Sequence, residues 1–262
     1  MLTVQTERAV LHVRDDGPKD GRAVFFANSL GTDLRIWDDM LTHLPDGLRI
    51  IRYDKPGHGL SDCPEGPYSI AGLADDVVTI ATALNVPHFT LVGLSIGGLI
   101  GQQLALTRPD LVRALVLMDT AAKIGTAELW QSRLDDLQAG GLDSMADGIM
   151  ERWFTAPFRG DPMAVAPWRN MLVRTPQQGY AACCAAIAAA DFTDQIGELT
   201  LPIIAVGGAE DKSTPPDLVR ATAELCNAPF HLIEAAGHVP CVEKPGETAR
   251  IIAEFLETTH DV

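Results

Sequence analysis

The sequence predicts an α/β fold: a mostly parallel central sheet flanked by helices, with an inserted helical cap. Three observations carry this expectation. Short β-prone runs alternate with helical patterns along most of the chain, an order that favours a parallel sheet covered on both faces. Several of these runs, AVFFANS and FTLV among them, are apolar without interruption, as strands buried on both faces are. Between residues 123 and 190 the alternation stops and only helical patterns remain.

Taken in order, VLHVRD and AVFFANS are the first strands expected, followed by a helix over IWDDMLTHL and a strand over LRIIRYD. From Ile70 to Leu84, the apolar residues Ile70, Leu73, Val77, Ile80 and Leu84 recur at helical spacing and predict an amphipathic helix. The strand FTLVGLS, the helix GLIGQQLALTRPD and the strand ALVLMDT come next. TAELWQSRLDDLQAG, LDSMADGIMERWF, DPMAVAPWRNMLV and PQQGYAACCAAIAAA then all read as helices, with Gly and Pro between them. Alternation resumes with LPIIAVGGAED, PDLVRATAELC, FHLIEAAGH and GETARIIAEFLETT. Residues 1–122 and 191–262 thus form the expected core, and 123–190 the helical cap lying over it.

The 262 residues suffice for one sizeable core, and 47% hydrophobic with 21% charged residues is ordinary for a globular chain. No run approaches the roughly 18 apolar residues of a membrane span, and the amino terminus does not read as a signal peptide. A formal charge of -15 repels phosphate backbones, so no nucleic-acid partner is expected. The same charge means that an anionic substrate needs a local cation. The five cysteines, Cys63, Cys183, Cys184, Cys226 and Cys241, are odd in number and lack C-x-x-C spacing. That argues against a disulfide framework or zinc site and for the reducing cytoplasm. His12, His43, His88, His231 and His260 are scattered without a metal pattern, and His58 in PGHG is expected to support a turn near Asp54.

LVGLSIGG, Leu91 to Gly98, carries the chemistry. Its Gly93, Ser95 and Gly97 form G-x-S-x-G between a β-prone run and a helical one, which suits a strained elbow that pushes a serine oxygen outward. In open parallel sheets functional residues collect past the carboxyl ends of strands, where Ser95, Asp211 and His238 fall. A serine hydroxyl needs an adjacent base to become a nucleophile. His238 would take its proton, and Asp211 would hold the ring in the right tautomer. Each has a plainer reading: Ser95 as a helix N-cap, Asp211 or Asp217 as the cap of the helix after Pro215, His238 as a core histidine. Glu210 is a rival acid. GGAEDKST is no phosphate loop, because Asp211 stands where glycine is required, and PGHGLSD lacks the third glycine of a dinucleotide fingerprint.

DKPGHGLSD, GLSIGG, GAEDKSTPPD and AAGHVPCVEKP, in this order, resemble the landmarks of the α/β-hydrolases along the whole chain. The resemblance implies a Ser95–Asp211–His238 triad, with D-x-x-x-P spacing to Pro215 favouring Asp211 over Glu210. It also implies an oxyanion hole made by the backbone N–H groups of Ile96 and Leu30, with Asn28 and Ser29 where the family commonly has His-Gly. ANSLGTDLRIWDDML, AAKIGTAELWQSR, ERWFTAPF and GYAACCAAIAAADF are similar to the 3-oxoadipate enol-lactonases. That implies opening of a small anionic enol-lactone to 3-oxoadipate in aromatic catabolism, without metal or organic cofactor. Trp130 and Arg133, three apart on an expected helix, share a face: Arg133 is expected to meet the substrate carboxylate and Trp130 to wall the pocket, or else Arg133 pairs with Asp135 or Asp136. Trp153 and Trp168 are expected in the core. A general carboxylesterase, a cofactor-free haloperoxidase-like hydrolase and a small-molecule receptor of the same fold are the other readings. The serine at the elbow disfavours dehalogenases with an aspartate nucleophile.

Overall fold

The uninterrupted apolar runs become the middle of one sheet. The computed structural model describes residues 1–259, so His260 lies outside the described residues. The strands are β1 (Leu2–Gln5), β2 (Val10–Asp16), β3 (Arg22–Ala27), β4 (Leu48–Tyr53), β5 (Phe89–Leu94), β6 (Val112–Met118), β7 (Ile203–Gly208) and β8 (Phe230–Ile233). They form an eight-stranded sheet in the order β1-β2-β4-β3-β5-β6-β7-β8. β2 runs antiparallel to its neighbours and all pairings from β4 to β8 are parallel. Every residue of β5 and of β7 is buried, as their unbroken apolar character requires.

The helices are α1 (Asp38–Leu41), α2 (Ile70–Ala83), α3 (Ile96–Thr107), α4 (Ala127–Trp153), α5 (Ala156–Arg159), α6 (Pro162–Val173), α7 (Gln177–Ala189), α8 (Pro216–Leu225), α9 (Pro240–Glu243) and α10 (Pro245–Thr258). Ser69 caps α2 by accepting from the Gly72 N–H at 3.0 Å, and the face with Leu73, Val77 and Ile80 is buried, as the spacing requires. The helices α4–α7 follow β6 and precede β7 without an intervening strand, so they form a helical insertion in the α/β frame. Gly141, at φ 70°, breaks α4; the two helices expected there meet end to end at this glycine. Among the described residues no helix is long and apolar enough to cross a membrane.

The helix expected over IWDDMLTHL is shorter than its pattern. Asp33 caps a 3-10 turn at Leu34–Trp37, and α1 adds only four residues. Pro45 follows closely and disfavours helical backbone just before it. β1, α5 and α9, four residues each, are too short to show a period.

The insertion is pinned to the core by backbone contact. A β-carbon on Gly179 of α7 would lie 2.5 Å from Gly57 Cα, in the loop after β4. Gly179→Ala should therefore cost about 1–3 kcal/mol, as overpacking does. Thermal unfolding should show a lower Tm; an unchanged Tm would mean that this contact yields freely.

Candidate active site

β3, β5, β6, β7 and β8 are successive neighbours, so their carboxyl ends open on one edge of the sheet. At the centre, β5 ends at Leu94 and α3 starts at Ile96, leaving Ser95 alone to make the turn. Its φ of 58° and ψ of -117° are costly for any residue with a side chain. The conformation is held by buried bonds: Ser95 N–H donates to Met118 O at 2.9 Å, and Ser95 O accepts from Gly98 N at 2.8 Å and Thr120 Oγ1 at 2.7 Å. The flanking glycines are required by close approach. A β-carbon on Gly93 would lie 2.3 Å from Gly97 O, and one on Gly97 2.0 Å from Ala27 O. The Ser95 side chain caps nothing.

Asp211, after β7, and His238, after β8, do meet. Asp211 Oδ2 and His238 Nδ1 are 2.8 Å apart, with the two residues 4% and 2% exposed. The remaining lone pairs of Asp211 are also engaged: Oδ1 accepts from Ser213 N at 2.7 Å and Thr214 N at 3.1 Å, and Oδ2 from Thr214 Oγ1 at 2.7 Å. Asp211 caps no helix; α8 starts after Pro215 without a side-chain cap. Glu243, inside AAGHVPCVEKP, ties the histidine loop to the insertion. Its Oε2 accepts from Gly237 N at 2.6 Å, and its Oε1 accepts from Thr155 N at 3.0 Å and Thr155 Oγ1 at 2.7 Å.

The other ring nitrogen, Nε2, lies 3.4 Å from Ser29 Oγ, a partner the sequence reading did not single out. Among the described residues no hydrogen bond joins Ser95 Oγ to the ring. Ser95, Ser29, Leu30 and His238 all line one cavity of about 800 Å³. Leu30 and Ile96 are buried, and among the described residues neither backbone N–H donates to another protein group.

Asp119, at the end of β6, was also missed. It is wholly buried at φ 42°, and its Oδ1 accepts from Gly208 N at 2.8 Å while Oδ2 has no partner among the described residues. One atom each of Asp119, Asp211 and His238 lie within 4.8 Å of one another, close enough for a metal ion. The facing atoms of Asp211 and His238 are instead spent on each other. Burial, and next the adjacent Asp211, pushes the Asp119 carboxyl well above the usual carboxylate range.

The insertion supplies the far wall, with Trp130, Arg133 and Arg152. Arg133 pairs with neither Asp135 nor Asp136: its Nη1 donates to Tyr180 Oη at 3.1 Å, and its guanidinium carbon sits 5.3 Å from the Trp130 ring centroid. Gln131 takes Asp135, at 2.9 Å. Arg152, which the sequence reading passed over, faces the same cavity, and neither arginine forms an ion pair among the described residues. Partial desolvation and, next, the charge of Arg133 press the Arg152 guanidinium below its ordinary value. Trp153 is core but also lines the cavity.

A family model described as alpha/beta hydrolase fold matches residues 22–245. The chain is 35% identical over 245 residues to a 3-oxoadipate enol-lactonase of Acinetobacter baylyi, covering 93% of this chain and 91% of the relative. Among solved structures, the enol-lactonase of Burkholderia xenovorans superposes with a TM-score of 0.91 at 33% identity, covering 95% of this chain and 97% of that one. A thermophilic esterase of Thermogutta terrifontis, solved with malate bound, gives 0.91 at 27% identity over 99% and 98% of the two chains. With its sheet order, its helical insertion after β6 and this match along most of its length, the chain belongs to the α/β-hydrolase family.

Proposed function

We propose that this protein is a serine hydrolase that opens 3-oxoadipate enol-lactone to 3-oxoadipate in aromatic-compound catabolism, with Ser95, His238 and Asp211 as its triad. One observation carries the reading. An elbow serine and a histidine hydrogen-bonded to a buried aspartate share a cavity with two guanidiniums that form no ion pair among the described residues, although Asp136 stands on the same lining. The likeness to enol-lactonases supplies the substrate; the cations account for its charge.

Ser95 Oγ attacks the lactone carbonyl carbon and passes its proton to His238 Nε2. The carbonyl oxygen, now anionic, is received by the N–H groups of Leu30 and Ile96. Collapse of the tetrahedral centre breaks the ring C–O bond, and the enolate oxygen leaves and takes the proton from the imidazolium. The freed enol becomes the ketone. Water, deprotonated by His238, then cleaves the Ser95 ester and returns the proton to Oγ. Throughout, Asp211 stabilises the ring as a cation and fixes Nδ1–H toward itself. Burial and the adjacent Asp211 raise the Asp119 carboxyl, which disfavours a second negative charge beside that pair. The substrate carboxylate lies against Arg133, with Trp130 as a wall and Arg152 as a second cation.

A second reading is favoured by the 3.4 Å contact of Ser29 Oγ with His238 Nε2: Ser29 as the nucleophile. Ser95 is preferred because it alone stands on the strained turn at the start of α3, next to the Ile96 amide. Ser95→Ala should lower kcat by about 10⁶, the scale of triad knockouts, and Ser29→Ala by about tenfold at most, the scale of one lost hydrogen bond. The reverse order would transfer the role to Ser29.

A charge-assisted hydrogen bond is worth about 1.5–3 kcal/mol, so Arg133→Ala should lower kcat/KM for the enol-lactone about ten- to hundredfold. Arg152→Ala should lower it less, and neither should change turnover of the neutral p-nitrophenyl acetate. Equal losses on both substrates would make the protein a general esterase.

The raised Asp119 carboxyl also has a stability consequence. A group whose folded pKa exceeds its unfolded value, about 3.9 for aspartate, stabilises the fold fully below that value, and the contribution is lost as pH rises toward the folded one. Asp119→Asn keeps the acceptor for Gly208 N–H and removes this loss. Its Tm relative to the unaltered protein should therefore rise from pH 5 to pH 8; parallel Tm curves would show that Asp119 is ionised without cost.

A further inference from the structure

The segment DKPGHGLSD ends up against the loop that follows β3. Lys55 Nζ donates to Ser29 O at 2.7 Å and to Thr32 O at 3.4 Å, and Thr32 Oγ1 donates to the same Ser29 carbonyl at 2.9 Å. His58 Nε2 accepts from Gly31 N at 3.0 Å, and Asp54 Oδ1 from Leu34 N at 2.8 Å. Asn28 Nδ2 donates to Thr32 O. The polar groups of this loop are thereby fixed one after another, while the Leu30 N–H has no protein acceptor among the described residues and Leu30 itself lines the cavity.

Lys55 is 1% exposed and has no carboxylate at ion-pair distance among the described residues. A buried ammonium held only by carbonyls is a costly arrangement. Burial brings Lys55 down to about 8, against the opposing pull of Cys183 from α7, Asp54 beside it and Asp33 from the β3 loop. At neutral pH the amine therefore remains mainly a cation. The neighbouring His58 is driven well below its ordinary value by burial and next by Lys55, and so stays neutral.

We propose that Lys55 is a positioning residue for the oxyanion hole: its ammonium, bonded to the Ser29 carbonyl, aims and polarises the Ser29–Leu30 peptide whose N–H receives the developing charge. The proposal rests on the reading of Leu30 as an oxyanion donor. The C=O and N–H of a trans peptide point in opposite directions, so anchoring the oxygen on Lys55 turns the N–H away from Lys55. A charged donor on the oxygen also strengthens the dipole of that amide, since linked hydrogen bonds polarise one another. Such an effect acts on the transition state, where the oxygen is anionic, and hardly on ground-state binding.

The test uses p-nitrophenyl acetate, which needs no carboxylate site, and phenylboronic acid, which forms a tetrahedral anionic adduct on a serine. Losing one oxyanion donor outright costs about 10²–10³ in kcat, so Lys55→Met, which loosens one, should cost about ten- to hundredfold with KM within about threefold. Boronate affinity should fall in step. Thr32→Val, isosteric and removing the second donor on Ser29 O, should give the same split at about three- to tenfold, and decides the matter if Lys55→Met does not fold. Unchanged kcat and boronate affinity in a folded variant, or a raised KM at unchanged kcat, would overturn the proposal. If the unaltered protein neither turns over the ester nor binds the boronate, the hydrolase reading itself fails and takes this one with it. Activity on the ester with unaffected variants would remove Lys55 alone.

Discussion

Helix α3 is held against β3 and β5 so closely that a β-carbon at Gly93 or Gly97 would overlap backbone, and the site is built outward from that contact. The approach forces the chain to reverse within one residue, which places Ser95 in a conformation that costs on the order of 1–3 kcal/mol. Buried hydrogen bonds from its main chain to Met118 of β6, Gly98 of α3 and the Thr120 hydroxyl hold it there. Because β3 and β6 flank β5 in the sheet, the same packing sets where the Ser29–Leu30 peptide and Asp119 can stand. Position along the sheet edge does the rest: β7 and β8 bring Asp211 and His238 alongside, and Glu243 fastens that loop to the insertion.

The electrostatics of the site run against those of the chain. A formal charge of -15 makes the surroundings unfavourable to an anion, yet Arg133 is steadied by neutral partners, the Tyr180 hydroxyl and the Trp130 face. An arginine paired with Asp135 would be just as well ordered and would attract nothing. Holding the guanidinium by a hydroxyl and an aromatic ring keeps its charge available. Arg152, near enough to feel the charges of Arg133 and, less strongly, Asp136, stands on the same wall. Long-range repulsion is screened over about 8 Å at physiological salt, so the field at this wall is set by Arg133, Arg152 and Asp136 more than by the distant acidic surface.

Much of this was legible in the sequence, and what was not had physical reasons. The buried strands β5 and β7 announced themselves by unbroken apolar runs, and the elbow by glycines spaced to admit backbone contact. The break in α4 is visible as Gly140-Gly141. By contrast, the approach of Ser29 to His238 spans 209 residues of chain and leaves no local pattern. Asp119 reads as the polar end of a strand, and only the sheet order sets it beside Asp211. Arg152 lies beyond the Gly141 break, where helical phase from Trp130 and Arg133 no longer predicts the facing side. His58 does support the turn after Asp54, its Nδ1 meeting Pro56 O at 3.2 Å, but its second bond, to the Gly31 amide, leaves no local pattern, and it is His12 that takes Asp54, at 2.8 Å.

Where the buried charges sit separates framework from site. Away from the sheet edge, buried ionisable groups are paired with opposite charge: Arg49 with Asp15, Arg52 with Asp16 and Asp38, Asp76 with Arg8. Lys55, His58 and Asp119, all fully buried, are held by carbonyls and amides alone. An unpaired buried ionisable group destabilises a fold, and an apolar residue of similar volume would often pack there at no loss. Two of the three grip the loop that carries Ser29 and Leu30, and the third touches Asp211. Beside the Ser29–Leu30 loop and the Asp211–His238 pair, these three positions keep ionisable side chains where positions chosen for stability alone would carry apolar ones, the kind of local conflict that sites impose on a sequence.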